Sequence, residues 1–162
     1  MHVVLVQPQI PPNTGNVARL CAVTGSRLHL IAPLGFSLDD KHLRRAGLDY
    51  WDKVHASTHA SFEELLADEG VARDRLHLFT ARARRTLWQT RFRAGDFLVL
   101  GEEARGLPDE VLERYADRTV RVPMIGNPTA RSLNLSTCTG IVLYEALRQV
   151  HQVQPAPSAK SE

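Results

Sequence analysis

Four short apolar runs limit what this chain can fold into: Val3 to Val6, Leu28 to Ala32, Leu76 to Thr80 and Phe97 to Leu100. The first is continuously apolar, the pattern of a strand covered on both faces. Segments with helical spacing or helix-start signals lie between and after these runs. Strands alternating with helices predict an α/β fold, a mostly parallel sheet flanked by helices, whose ligands bind beyond the carboxyl ends of the strands.

The intervening segments fill in the order. Pro8, Pro11 and Pro12 make a stiff extended loop, and the helix after it carries Val17, Leu20, Cys21 and Thr24 on one face, with Gly25 as its stop. Asn13 or Thr14 can cap that helix, and Arg19 falls on its exposed face. Asp39 to Ala46 reads as a short charged helix, Val54 to Ala56 as a brief strand, and Ser61 to Glu69 as a helix opened by a capping box of Ser61 and Glu64. Pro108 to Tyr115 reads as a helix with proline in its first turn. Thr119 to Val122 is a last strand. It breaks at Pro123, passes through a loop that Gly126 and Pro128 keep non-helical, and enters a long helix from about Leu133 to Val153. Ser132, Asn134, Ser136 and Thr137 crowd that helix entrance. Residues 1–153 are expected to be one domain and residues 154–162 a disordered tail.

Composition excludes some classes. No apolar run approaches the ~20 residues of a membrane span, and the N-terminus has neither the basic region nor the cleavage site of a signal peptide. Cys21 and Cys138 form no CxxC pair and read as reduced core cysteines of a cytoplasmic protein. His55 and His59 lie at helical spacing without a third metal ligand, and read as surface histidines. A formal charge of +2 decides nothing about nucleic acid. Local clusters carry more weight: Lys41, His42, Arg44 and Arg45, and then Arg82, Arg84, Arg85, Arg91 and Arg93 around Trp88 and Phe92. Arginines hold phosphates and aromatic rings stack on unpaired bases. Trp88 can equally pack in the core or at a subunit interface.

Three stretches, each behind a strand, combine into a larger signal. They are Asn13-Thr-Gly-Asn-Val-Ala-Arg19, Leu100-Gly-Glu-Glu-Ala-Arg-Gly-Leu-Pro108, and Val122-Pro-Met124 with Ser132-Leu-Asn-Leu-Ser136. In that order they resemble the three motifs of the SPOUT class of RNA methyltransferases, more specifically the TrmH-type ribose 2′-O-methyltransferases. Pro11-Pro-Asn-Thr-Gly-Asn, Arg19-Leu-Cys-Ala and Asp39-Asp-Lys-His-Leu-Arg-Arg-Ala-Gly-Leu-Asp-Tyr50 extend the likeness to the small subgroup that methylates the wobble nucleotide 34 of tRNA. The loop Ile125 to Arg131 departs from that subgroup in being longer.

The resemblance implies a C-terminal trefoil knot, a homodimer whose subunits complete each other's sites, S-adenosyl-L-methionine as methyl donor, and the tRNA anticodon stem-loop as partner. The cofactor would lie among Phe79, Thr80, Gly101, Val122, Met124, Ser132 and Leu133. Asn13, Arg19, Glu103 and Asn134 match the family's catalytic positions, with Ser132 alongside. A guanidinium stays protonated, so Arg19 suits binding a phosphate and stabilising the oxyanion that develops on the 2′-oxygen, and Glu103 suits shaping the site and balancing charge. A sulfonium donor needs no metal. RNA contact falls to Arg19, Arg44, Arg45, Arg84, Arg85 and Trp88. Three other readings remain: a transferase acting at another tRNA or ribosomal RNA position, a non-catalytic RNA-binding module of the same fold, and an unrelated nucleotide-binding domain. The missing phosphate loop weakens the last.

Overall fold

The structure, a computed structural model, describes residues 1–38, 54–126 and 132–151. The expected helix Asp39 to Ala46 with Arg44 and Arg45, most of the long loop, and the expected tail lie outside the described residues. Six strands form one sheet in the order β3-β2-β1-β5-β4-β6. They are β1 (His2–Val6), β2 (Arg27–Ile31), β3 (Ala56–His59), β4 (Leu76–Phe79), β5 (Phe97–Leu100) and β6 (Thr119–Val120). Every neighbouring pair is parallel.

The helices cover both faces, as parallel strands require. On one face Val3, Leu5, Leu28, Leu30, Leu98 and Leu100 pack with Val17 and Cys21 of α1 (Pro11–Thr24) and with Val142, Leu143 and Ala146 of α4 (Leu135–Val150). On the other, Val4, Val6, Ile31, Leu78 and Val99 pack with Phe62 and Leu65 of α2 (Phe62–Asp68) and with Val111 of α3 (Asp109–Arg114). Each fully buried leucine contributes roughly 1.5–3 kcal/mol to this double core. Burial also pushes the Cys21 thiol up to about 12, so it remains protonated and inert.

The elements depart from the sequence reading in instructive places. The third strand is Ala56–His59, not Val54 to Ala56; it is set by pairing with Leu28 to Ile31 of β2. Helix α1 starts at Pro11 with no side-chain cap, so neither Asn13 nor Thr14 caps it. Pro108 precedes α3 at the cap position instead of standing inside its first turn. Ser61 caps α2 as expected, accepting from Glu64 N at 3.1 Å, but the Glu64 carboxylate reaches back to Ala60 N. His59 is a buried strand residue, not a surface one: its Nε2 lies 3.2 Å from His29 Nδ1 and its Nδ1 3.3 Å from the Asp68 carboxylate. No helix among the described residues is long and apolar enough to cross a membrane.

The strand order reverses between β1 and β5. From β1 the chain turns towards α1 and β2; from β5 it turns towards α3 and reaches β6 on the opposite side. Such a switch point opens a crevice beyond the strand ends.

Candidate active site

Past the carboxyl ends of β4 and β5, and beside the residues that follow β6, lies a cavity of about 330 Å³. Phe79 and Thr80 bring the end of β4 to it, Gly101 the end of β5, and Val122 and Met124 the residues that follow β6. Ser132 and Leu133 close it from the chain entering α4. All seven residues expected around the cofactor thus share one wall. The rest of the β5 loop, from Glu102 to Gly106, lines it as well, with Ala81 and Arg82 after β4, and Leu100, Leu135 and Cys138 join them without any signal in the sequence that marked them. Leu135 and Cys138 are separated by one helical turn, which places them on one side of α4. Burial raises the Cys138 thiol to about 11, so it meets the cavity as a neutral group.

Glycine is required where β5 ends. A Cβ on Gly101 would lie 2.0 Å from the carbonyl carbon of Gly106 and 2.1 Å from Leu107 N. The loop folds back on itself here: Gly106 N donates to Glu102 O at 3.0 Å, and Gly106 takes φ +76°. Arg105 Nε lies 3.0 Å from a Glu102 carboxylate oxygen, while the Arg105 side chain itself is 88% exposed. The wall combines apolar side chains with strand-end backbone and charged residues of both signs, Glu102 and Glu103 with Arg82 and Arg105. That combination fits an S-adenosyl group, whose adenine needs apolar cover and backbone partners and whose sulfonium is cationic, and the volume is within the range of small-molecule sites.

Glu103 also lines the cavity, and its partners lie on the approach to α1. Its carboxylate accepts from Gln9 N at 2.9 Å, Ile10 N at 3.2 Å and Asn13 Nδ2 at 2.9 Å. Asn13 Oδ1 accepts in turn from Asn134 Nδ2 at 2.9 Å. Asn134 caps α4, its Oδ1 accepting from Ser136 N at 3.0 Å and Thr137 N at 3.2 Å. Three of the four expected catalytic residues therefore form one connected group. The fourth, Arg19, sits on the exposed side of α1 and does not line the cavity of its own chain.

The expected RNA face divides. Arg84 is exposed, whereas Arg85 is half-buried and donates to Asp117 O at 3.3 Å. Arg82 and Arg93 are paired with Asp109 at 2.6 Å and Asp74 at 2.7 Å. Phe92 is buried in the core and cannot stack on a base. Trp88, by contrast, is 68% exposed, with Ile141 and Tyr144 of α4 beside it in one surface groove.

The chain belongs to the SpoU rRNA Methylase family, whose sequence profile matches residues 1–144. It is 50% identical over 149 residues to a tRNA (cytidine(34)-2′-O)-methyltransferase of Burkholderia ambifaria, covering 91% of this chain and 94% of the relative. A solved structure described as giving structural insights into the 2-OH methylation of C/U34 on tRNA superimposes with a TM-score of 0.83 at 50% identity, covering 91% of this chain and 94% of that one. An AdoMet-bound rRNA methyltransferase from Sinorhizobium meliloti is more distant, with a TM-score of 0.77 at 26% identity, covering 91% of this chain and 55% of that one.

Proposed function

We propose that this protein transfers a methyl group from S-adenosyl-L-methionine to the ribose 2′-hydroxyl of the wobble nucleotide, a cytidine or modified uridine at position 34 of the tRNA anticodon loop. The observation that carries the reading is the 50% identity, across 91% of the chain, to a relative named for that reaction. The AdoMet-bound rRNA methyltransferase of similar fold and the cavity wall support the choice of cofactor. When bound, the cofactor supplies a methyl group already activated on a sulfonium.

The protein's part is then alignment and charge. Phe79, Val122, Met124 and Leu133 give apolar cover, Gly101 leaves its backbone open, and Ser132 stands at the rim. Arg19 binds the phosphate beside the target ribose and stabilises the negative charge growing on the 2′-oxygen. Because Arg19 does not line its own chain's cavity, this reading has it serve the cavity of a second subunit in a homodimer. The groove of Trp88, Ile141 and Tyr144 is the apolar surface that such pairing would cover. Arg84, Arg85, Arg44 and Arg45 would hold the anticodon stem-loop. The reading includes a single domain over residues 1–153 with a C-terminal trefoil knot, and action in the cytoplasm.

Transfer of labelled methyl to tRNA from a strain lacking the equivalent enzyme, followed by nuclease digestion and mass spectrometry, tests the proposal. A 2′-O-methyl mark at nucleotide 34 is expected. A mark at another position would retain the chemistry and reject the substrate. Cofactor binding with no mark on any RNA would leave the binding-module reading.

A further inference from the structure

Resting on that transferase reading, we propose that Glu103, Asn13 and Asn134 are positioning residues. They form a directional chain of hydrogen bonds that holds α1, and with it Arg19, in register with the cavity loop and the start of α4, and they take no proton from the substrate.

The direction follows from chemistry. An ionised carboxylate can only accept hydrogen bonds. Facing Glu103, Asn13 has to present Nδ2, at 2.9 Å. Its Oδ1 is thereby turned towards Asn134, which has to present its own Nδ2, again at 2.9 Å. Asn134 keeps one polar atom, Oδ1, for the backbone of α4, and adds Ser136 Oγ at 2.7 Å. One acceptor-only group thus fixes two amides whose oxygen and nitrogen would otherwise be interchangeable. The two links join residues 90 and 121 positions apart in sequence, so they tie together segments that chain connectivity leaves independent.

The rest of the Glu103 carboxylate holds the approach to α1. That helix begins at two prolines with no side-chain cap of its own. The carboxylate, arriving from the β5 loop, holds the residues just before the helix by accepting from Gln9 N and Ile10 N, and sets a negative charge at the helix N-terminus. The same segment is pressed from its other side. A Cβ at Gly35 would lie 2.7 Å from Gln9 Cα, and Gln7 holds φ +53°, a left-handed conformation no other non-glycine residue adopts among the described residues. Such a conformation persists where its surroundings over-determine it. Ile10 N and Asn13 Nδ2 both donate to Oε1 and Gln9 N to Oε2, so the carboxylate already serves three fixed donors.

Asn134→Asp separates capping from relaying. It keeps an oxygen to cap α4 but removes the donor to Asn13. The expected result is a modest fall in unfolding midpoint and a calorimetric cofactor affinity close to the parent's, with kcat lower by about 100-fold and the RNA KM little changed. Glu103→Gln is expected to lower the rate by a similar factor at every pH, so that the pH–rate profile keeps its shape. Parental kcat in Asn134→Asp, or a pH–rate profile of changed shape in Glu103→Gln, would overturn the proposal. The network can also be read without activity. The losses in unfolding midpoint of Asn13→Ala and Glu103→Ala should be non-additive in the double variant, and additivity would overturn the proposal. A parent enzyme that methylates no RNA would reject the transferase reading alone.

Discussion

Gly101 and His29 show how much can depend on one side chain. At Gly101 an added methyl would sit 2.0 Å from the Gly106 carbonyl carbon, so the loop must move to admit it. Overpacking of this kind costs about 1–3 kcal/mol. Gly101→Ala should therefore weaken S-adenosylmethionine binding by at least ~10-fold in calorimetry; unchanged affinity would detach this loop from the cofactor. His29 is buried between other rings: His2 Nδ1 lies 2.9 Å from its Nε2, and His59 Nε2 lies 3.2 Å from its Nδ1. Ser57 Oγ lies 3.0 Å from His29 Nδ1, Phe97 packs beside the ring, and Arg27 and Glu69 stand at the exposed end. Desolvation above all, with His2, His59 and Arg27 adding to it, pushes the His29 pKa from 6.5 down to about 3. The unfolded chain then binds a proton that the native state refuses. Stability should be full above pH 6.5 and fall as the pH drops from there towards 3. Urea unfolding midpoints between pH 7.5 and 5 should show the decline, and His29→Leu should flatten it.

At the scale of elements, the apolar strands could be read in advance because burial on both faces leaves an apolar run. β3 could not. Ala56-Ser-Thr-His59 is an edge strand with little apolar character, held by its register with β2, and register is not written in either strand alone. The capping of α2 was legible because its signal is local: Ser61→Ala should lower stability by about 1 kcal/mol, measurable as a lower thermal midpoint. The start of α1 was not legible, since the carboxylate that holds Ile10 N in front of it comes from Glu103, 93 residues away. The same contrast runs through the site. Strand-end positions such as Thr80 and Gly101 follow from the fold class. The joining of Asn13, Glu103 and Asn134 is a tertiary contact that residue spacing cannot reveal, although the motif resemblance had marked all three.

For the whole molecule, the apolar groove and the placement of Arg19 belong to one question. Trp88, Tyr144 and Ile141 are 68%, 55% and 40% exposed, an unusual concentration for a surface that meets only water. If this face pairs two subunits, Ile141→Asp should shift the protein from dimer to monomer in sedimentation velocity and remove transfer activity with it. A monomeric parent would reject the shared-site arrangement. Trp88 is open to solvent in the single chain, which rules out its packing in the core.

The most direct test of the account uses anticodon stem-loops that each lack one 2′-hydroxyl. With parent protein and labelled S-adenosylmethionine, a 2′-deoxy nucleotide at position 34 should abolish methyl transfer, while the same change at 33 or 35 should leave it. The transfer that remains should fall by at least ~100-fold in Arg19→Ala. Methyl transfer to the 34-deoxy substrate would contradict the account, because the accepting oxygen would then lie elsewhere.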